Sequence, residues 1–272
     1  MSQGANMSIE QLFDKLWQQY STDTPMVKQI HDMFEANEGK ILNDHVAFRT
    51  FDDPRVDIDV LAKPFIAEGY VEGGQYDFPV KKLFAKHYEH PNPELPKVFI
   101  SQLLTEQFSD FVQSTAKQII DKIPQSLLAN PTALLTSGVC WQPIEYKTYQ
   151  KLLDESEYAA WLYAFGFRAN HFTVNVNALI QTPTIQAVNA FLKKNKIELN
   201  TAGGEVKGTP DDLLEQSSTK AFKVPIKFQD GTHEIPSSYY EFALRYPKPD
   251  GKLYSGFVAA SADKIFESTD NK

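Results

Sequence analysis

Three short stretches of this chain alternate apolar and polar residues, and each holds one side chain that can bind a metal ion. In chain order they are 43–51 with His45, 170–177 with His171, and 239–246 with Glu241. Side chains alternate between the two faces of a β-strand, so each stretch, if it is a strand, has one apolar and one polar face. The pattern therefore predicts three strands that pack on a core with one face and present a candidate metal ligand on the other.

Two histidines and one carboxylate that converge form the facial triad of non-haem Fe(II) enzymes, which leaves open positions on the metal. His45, His171 and Glu241 would supply this set and would then be the catalytic centre. The same ligand types also bind zinc, manganese or cobalt, so they leave the identity of the metal open. The alternative is that both histidines are hydrogen-bonded core residues and that Glu241 pairs with an arginine.

Arg49 lies on the same face of the first stretch as its histidine. A guanidinium binds a carboxylate through two parallel hydrogen bonds. A metal beside an arginine therefore suggests a substrate acid that is held at one end and coordinated at the other. Alternatively, Arg49 forms an ion pair with Asp44 or Asp52. Arg245 shares a face with Glu241 and could either pair with it or bind an anion.

The predicted elements occur in the same order in both halves of the chain: strand, helix, then three strands. We predict an α+β fold in which two βαβββ modules form an open mixed-sheet barrel around a metal cleft, with added N-terminal and central helices. We expect a single domain over residues 1–272. Its parts are a helical N-terminus (7–40), a first module (43–103), a helical insert (104–168), a second module (170–247) and a tail (248–272).

Local signals indicate where several elements begin and end. Ser8 and Gln11 form a capping-box pattern before the first helix, and Pro25 can open the second. The expectations for the second module are Thr182-Pro183 as a helix cap, 197–206 as a strand, 208–218 as a loop that could act as a lid, and 221–228 as a strand before a turn at Asp230-Gly231.

Composition and charge argue against several functional classes. The 272 residues carry a net charge of −8 and show no basic stripe with interleaved aromatic residues, which argues against nucleic-acid binding. No apolar run approaches the roughly 20 residues that span a bilayer, and the first residues lack the pattern of a signal peptide. The single cysteine, Cys140, is expected to be a packing residue. We therefore expect a cytoplasmic protein with no nucleic-acid or membrane partner.

Other titratable residues give weaker signals. His87 and His90 lie on a predicted strand edge that we expect at the surface, although both could reach the cleft. The remaining expectations are His31 as a surface or packing residue, His233 in solvent, and Lys81-Lys82 either in solvent or at the mouth of the cleft.

Four motifs together resemble a known family. They are His45-x-Ala47-Phe48-Arg49-Thr50-Phe51, Asn170-His171-x-Thr173, Tyr240-Glu241-Phe242 and Ser261-Ala262-x-x-Ile265-Phe266. These motifs look like those of the bacterial 2-oxoadipate dioxygenase/decarboxylase family, and the resemblance covers most of the chain. The fold that this family implies is related to the vicinal-oxygen-chelate architecture, which agrees with two paired βαβββ modules.

The resemblance implies an enzyme that uses Fe(II) and O₂ to convert 2-oxoadipate into 2-hydroxyglutarate and CO₂, in lysine catabolism. It implies that His45, His171 and Glu241 bind the iron and that Arg49 binds a carboxylate of the substrate. It also implies that the backbone at Ala260 and Ser261 completes the pocket for the acid. Because the chain is shorter than the characterised members, another 2-oxo acid remains open as the substrate.

Two further functions remain open on the residues alone. The first is a redox-neutral hydrolase, lyase or isomerase of the same architecture, which would use zinc, nickel or manganese and would need a general base. His87 and Glu89 are the candidates for that base. The second is a non-catalytic module that sequesters a small acid. The partners expected for the dioxygenase are a 2-oxo acid and O₂.

Overall fold

Helices flank a seven-stranded sheet in this computed structural model, which describes residues 7–269. The strands are β1 (Asn43–Phe51), β2 (Val71–Phe78), β3 (Leu83–Glu89), β4 (Lys97–Leu103), β5 (Ala169–Asn175), β6 (Leu214–Ser218), β7 (Lys223–Phe228), β8 (Gly231–Pro236) and β9 (Glu241–Arg245). The helices are α1 (Ile9–Asp23), α2 (Pro25–Glu38), α3 (Ile58–Ala67), α4 (Asp110–Asp121), α5 (Gln125–Leu128), α6 (Pro131–Leu134), α7 (Tyr146–Glu155), α8 (Glu157–Phe165), α9 (Ile185–Lys194) and α10 (Ala259–Phe266).

The centre of the sheet joins the two predicted modules. The strand order is β2-β3-β4-β1-β5-β9-β6, and β1 pairs antiparallel with β5. Within each module the first strand pairs in parallel with the last, β1 with β4 and β5 with β9. The sheet curls into a half-barrel, which confirms the predicted α+β class and the open, mixed arrangement.

The two faces of the sheet are divided as the alternation predicted. Phe48, Phe172 and Phe242 point to the apolar face, where helices α1, α2 and α3 cover them with their own aromatic rings. The ring pairs are Phe48–Phe65, Phe172–Trp17 and Phe242–Phe34, with centroids 5.7, 5.3 and 5.1 Å apart. The polar residues of the same strands therefore lie on the concave face.

The N-terminal helices and the first module match their predictions. Ser8 and Gln11 form the capping box of α1, Pro25 opens α2, and α2 ends at Gly39, whose φ of 86° favours glycine. β1, α3, β2, β3 and β4 follow in the predicted order.

The second module has one strand fewer in the sheet than predicted. Residues 197–206 do not form a strand, since Leu199 makes only an isolated bridge and Gly203 and Gly204 have φ of 70° and 101°. The 208–218 prediction is wrong in its second half, where β6 pairs antiparallel with β9. β6 escaped prediction because four of its five residues are polar, yet all five are buried. β7 and β8 form a separate hairpin. The second module therefore contributes three strands to the sheet, and β5, β9 and β6 correspond to β1, β4 and β3 of the first module.

Two predicted boundaries also shift. The side chain that caps α9 belongs to Thr184, not to Thr182, because the Thr184 hydroxyl accepts from the backbone of the first helical turn. β5 ends at Asn175, and Asn177 lies in a short 3₁₀ turn instead of the strand. From there the Asn177 amide exchanges two hydrogen bonds with the backbone of Arg245.

The central insert covers one end of the concave face. Its helices break near Pro124 and Asn130, as predicted. All residues of α8 are buried except the first, Glu157, which is half-buried. Cys140 is half-buried, with its Sγ near the Gly138 carbonyl. Within residues 7–269, none of the helices is both long and apolar enough to cross a membrane.

Candidate metal centre

The three candidate ligands lie on three adjacent strands and meet on the concave face. His45 of β1 and Glu241 of β9 both stand opposite Thr173 of β5, and His171 is two residues before Thr173 on the same face. Their ligand atoms all lie within 4.8 Å of one another. His171 Nε2 is 3.0 Å from Glu241 Oε2, and His45 Nε2 is 3.7 Å from Glu241 Oε1. The strand register therefore brings together the residues that the sequence singled out.

A side chain just before each histidine orients its ring. His45 Nδ1 lies 2.8 Å from Asp44 Oδ2, and His171 Nδ1 lies 2.9 Å from Asn170 Oδ1. Both oxygens accept a hydrogen bond, so each Nδ1 carries the proton and each Nε2 presents a lone pair to the centre. In both modules, therefore, the residue just before the histidine accepts the hydrogen bond from its Nδ1. The Asp-His and Asn-His dipeptides were its signal in the sequence, but their orienting role was missed.

The charge of the centre suits a divalent cation. Burial lowers the pKa of His171, which keeps this imidazole neutral. Burial raises the pKa of Glu241, but both histidines and Gln216 outweigh that effect, and the net shift of the pKa is downward. Neutral imidazole nitrogens beside an ionised carboxylate are the donors that first-row divalent metals bind. The residues present therefore fit a metal ion.

Gln216 is a site residue that the sequence prediction missed. Its Nε2 donates to Glu241 Oε1 over 2.6 Å, which holds the carboxylate toward the histidines. Because a carboxylate only accepts hydrogen bonds, this contact also fixes which end of the Gln216 amide is the nitrogen. Gln216 belongs to β6, and its stretch was read as a loop, so no strand alternation pointed to it.

Arg245 does not pair with Glu241. Its Nε and Nη2 donate to Asp44 Oδ1 and Oδ2 over 2.6 and 2.9 Å. Burial raises the pKa of Asp44, but Arg245 and His45 outweigh it and hold this pKa well below its usual range. Arg245 Nη1 also donates to the carbonyls of Tyr254 and Gly256 in the tail.

Arg49 is fully enclosed by groups other than those that the sequence suggested. Its Nη1 donates to Glu157 Oε1 over 2.9 Å and its Nη2 to Thr269 Oγ1 over 3.2 Å. The guanidinium carbon lies 4.8 Å from the centre of the Tyr158 ring and 5.1 Å from that of Trp161. Arg49 Nε is buried and has no partner among the described residues. The alternative of an ion pair is therefore met by Glu157, and not by Asp44 or Asp52.

The centre borders a small, mostly apolar cavity of about 20 Å³, roughly the space of one water molecule. Its walls include the three candidate ligands, Gln216, Tyr239, Phe99 and Phe257, and α10 supplies Ala262, Ile265 and Phe266. Ala260 is exposed, and Ser261 is buried beside Gly208. Neither lines the cavity, so a contact of Ala260 or Ser261 with substrate stays a prediction.

The weaker candidates lie away from the centre. His87 is buried, and its Nδ1 and Nε2 lie 2.9 Å from Tyr76 Oη and 2.8 Å from Glu89 Oε1. The Phe257 ring stands between His87 and His45, with centroids 5.2 and 4.9 Å away. The other positions are His31 against Trp17 and Tyr240, His90 on Tyr70, and His233 half-buried on Tyr146 instead of in solvent.

The family model for 2-oxoadipate dioxygenase/decarboxylase matches residues 11–248 of the chain. This protein belongs to the 2-oxoadipate dioxygenase/decarboxylase family. The Arabidopsis thaliana protein named "2-oxoadipate dioxygenase/decarboxylase, chloroplastic" is 34% identical over 275 residues, which cover 92% of this chain and 74% of the relative. The resemblance seen in the four motifs is thereby confirmed.

Solved structures of family members and other proteins share the fold. The hydroxyglutarate synthase of Oryza sativa, solved in complex with 2-oxoadipate, is 35% identical with a TM-score of 0.91, over 100% of this chain and 95% of that one. This chain is therefore similar in length to the chain in the rice structure. A Shewanella frigidimarina protein with a provisional description as a hydrolase is 50% identical, with a TM-score of 0.88 over 94% of this chain and 100% of that one.

A more distant structure confirms the predicted architecture. A Ralstonia eutropha protein, provisionally placed in the glyoxalase superfamily, has a TM-score of 0.74 at 20% identity, over 92% of this chain and 85% of that one. At that identity the likeness concerns the fold alone. It agrees with the vicinal-oxygen-chelate arrangement expected for this 2-oxoadipate dioxygenase/decarboxylase family member.

Proposed function

We propose that this protein is an Fe(II)-dependent dioxygenase that converts 2-oxoadipate and O₂ into 2-hydroxyglutarate and CO₂. The observation that carries the proposal is the convergence of His45, His171 and Glu241 in a member of this family. The rice hydroxyglutarate synthase solved with 2-oxoadipate supports the choice of substrate. The partners in this proposal are the 2-oxo acid and O₂.

His45, His171 and Glu241 would hold the iron on one side and leave its other side toward the cavity. A metal held there would accept the carboxylate and keto oxygens of a 2-oxo acid as ligands, and Fe(II) would supply the redox chemistry with O₂. Asp44 and Asn170 keep both Nε2 atoms directed at the centre. Gln216 keeps the glutamate in place through its hydrogen bond.

Arg49 would hold the far carboxylate of the substrate. Its guanidinium is rigid, since Glu157 and Thr269 take two of its nitrogens and the rings of α8 pack against its faces. A fixed far end would keep the carbon next to the keto group at a constant distance from the metal. The apolar walls, among them Phe99 and Phe257, would exclude bulk water from the reacting end.

The redox-neutral alternative rests on the hydrolase description of the Shewanella frigidimarina relative. A hydrolase needs a general base that can reach a metal-bound or substrate-bound water. Neither candidate base, His87 or Glu89, lines the cavity, and His87 Nε2 lies 2.8 Å from Glu89 Oε1. This arrangement favours the dioxygenase over a hydrolase, a lyase or an isomerase.

The test is O₂ consumption and CO₂ release by protein reconstituted with Fe(II) without air. We expect uptake with 2-oxoadipate in the wild type and none in His45→Ala. His90→Ala is the matched control, because His90 packs on Tyr70 away from the centre and should leave uptake intact. Turnover without O₂, or a bound metal without uptake for any 2-oxo acid, would favour the redox-neutral enzyme. A silent His45→Ala would favour a binding module.

The cytoplasmic location and the place in lysine catabolism belong to the same proposal. The Arabidopsis thaliana relative carries the word chloroplastic in its name, a location that differs from this proposal. Fractionation of the source cells, followed by detection of this chain, tests the location directly.

A further inference from the structure

Two polar atoms on the cavity wall are buried and have no hydrogen-bond partner among the described residues. They are Tyr239 Oη and Gln216 Oε1. The Gln216 amide is oriented by its bond to Glu241, so its free oxygen can only accept. Tyr239 is therefore the wall residue with an unused donor. Buried polar groups are normally paired, and an unpaired one that faces a cavity points to a ligand.

The Tyr239 ring is held in place at several points. It stacks on the His171 ring, with centroids 4.5 Å apart and an angle of 28° between the planes. Its backbone carbonyl accepts a short hydrogen bond from the Tyr20 hydroxyl. The side chain is completely buried. A hydroxyl on such a rigid ring presents its proton at a fixed position, which suits recognition of one substrate group.

Arg49 uses part of its hydrogen-bonding capacity on the protein. Glu157 and Thr269 each accept one N–H, from Nη1 and Nη2, and Nε is the nitrogen without a partner among the described residues. The Phe266 ring relates the two residues, since its centre lies 5.9 Å from the Arg49 guanidinium carbon and it lines the same cavity as Tyr239. A carboxylate has two oxygens that together accept about four hydrogen bonds, so a donor beside Arg49 can be used in a buried site. The Tyr239 hydroxyl is such a donor, without a partner among the described residues.

We propose that the Tyr239 hydroxyl donates a hydrogen bond to the distal carboxylate of the substrate and so selects 2-oxo dicarboxylic acids over monocarboxylic ones. Arg49 Nε binds one oxygen of that carboxylate and Tyr239 Oη the other. The inference rests on the proposed function, because it needs a substrate that reaches from the metal to Arg49. It makes Tyr239 a specificity-determining residue as well as a ring that supports His171.

The test compares Tyr239→Phe with Tyr240→Phe. The first change keeps the ring on His171 and removes the hydroxyl. The second removes a buried hydroxyl from the next residue, which bonds His31 Nδ1 over 3.0 Å on the apolar side of the sheet. Calorimetry on the Fe(II)-loaded protein without O₂ gives the dissociation constants of 2-oxoadipate and 2-oxohexanoate, which lacks the distal carboxylate. Chelator competition gives the affinity for Fe(II).

We expect Tyr239→Phe to weaken 2-oxoadipate binding by about tenfold or more, as for a hydrogen bond to a charged group. Binding of 2-oxohexanoate and of Fe(II) should stay within about twofold of the wild type, and Tyr240→Phe should change none of the three. If the variant binds both acids more weakly by the same factor, or if neither dissociation constant changes, the proposed role of Tyr239 is overturned. Wild-type protein that binds the two acids alike would instead overturn the proposed substrate, and this result appears before any variant is made.

Discussion

Asp44 and Arg245 form a buried ion pair that links the first strand of the first module to the last strand of the second. Arg245 Nε lies 2.6 Å from Asp44 Oδ1, and Nη2 lies 2.9 Å from Oδ2. The same carboxylate accepts the His45 Nδ1 hydrogen bond, and the same guanidinium holds the tail just before Phe257. One pair therefore connects the orientation of a candidate ligand to the wall of the cavity.

Asp44→Asn should weaken both the fold and the metal site. The variant leaves Arg245 charged and unpaired in the interior, which costs about 3–5 kcal/mol of unfolding free energy. The amide also loses the charge that orients His45, so metal affinity should fall about 10- to 100-fold. Denaturant unfolding and chelator competition measure the two effects. Asp53→Asn is the control, since Asp53 pairs with the half-exposed Arg55 and should cost under about 1 kcal/mol. Unchanged metal affinity in Asp44→Asn would contradict this role.

Gln216→Leu should lower metal affinity about tenfold or more, because Glu241 loses the donor that holds its Oε1. Chelator competition is again the measurement. Gln75→Leu provides a surface control, since Gln75 Nε2 donates to Glu72 Oε1 over the same 2.6 Å and lies outside the site. If both variants bind metal like the wild type, the Gln216 contact does not position the ligand.

Helix α10 should move when substrate binds. A cavity of about 20 Å³ cannot hold a six-carbon dicarboxylic acid, so one of its walls must shift. Phe266 of α10 lines this cavity and also a surface cleft bordered by Lys81 and Lys82, so a shift of α10 would change both. We expect amide hydrogen exchange in α10 to be faster than in α8 and to slow at saturating 2-oxoadipate without O₂. If amide exchange in α10 is the same with and without the acid, α10 is not the wall that moves.

His87 should make stability depend on pH. Burial lowers the pKa of His87, and Glu89 offsets this only partly. An unfolded histidine has a pKa of about 6.5, so between that value and the folded pKa the unfolded chain binds more protons, and stability falls as the pH falls. We expect the unfolding free energy to drop between about pH 7 and pH 5, with a smaller drop in His87→Gln. Denaturant titrations at several pH values measure both slopes. Parallel slopes would show that His87 does not contribute.

Gly166→Ala should be far more destabilising than Gly39→Ala. Both glycines have positive φ, 68° and 86°, which strains any other residue. At Gly166 an added Cβ would lie 2.0 Å from the Gly138 carbonyl oxygen, whereas at Gly39 it meets nothing within 4 Å. Gly39→Ala should therefore cost about 1–2 kcal/mol, the strain alone, and Gly166→Ala several times more. Thermal unfolding of the two variants checks the difference, and similar losses would contradict the clash.

Local alternation was enough to find the candidate ligands and their faces. His45, His171 and Glu241 each lie on a strand, and the period of two depends on backbone geometry alone. It also placed Tyr239 on the face of Glu241, although without a role. Where the local pattern misled, the cause was local too: positive-φ glycines interrupt 197–206, and the buried polar residues of β6 do not look like a strand.

The partners of those residues were decided by the tertiary structure. Glu157 and Thr269 reach Arg49 from distant parts of the chain, and Gln216 reaches Glu241 from a strand that forms through pairing with β9. A sequence shows which residue types can pair, but several acids could satisfy one arginine. Which of them does so depends on how helices and strands far apart in the chain pack together. The sequence by itself thus determined the candidate ligands, and packing alone determined what orients them and what surrounds the cavity.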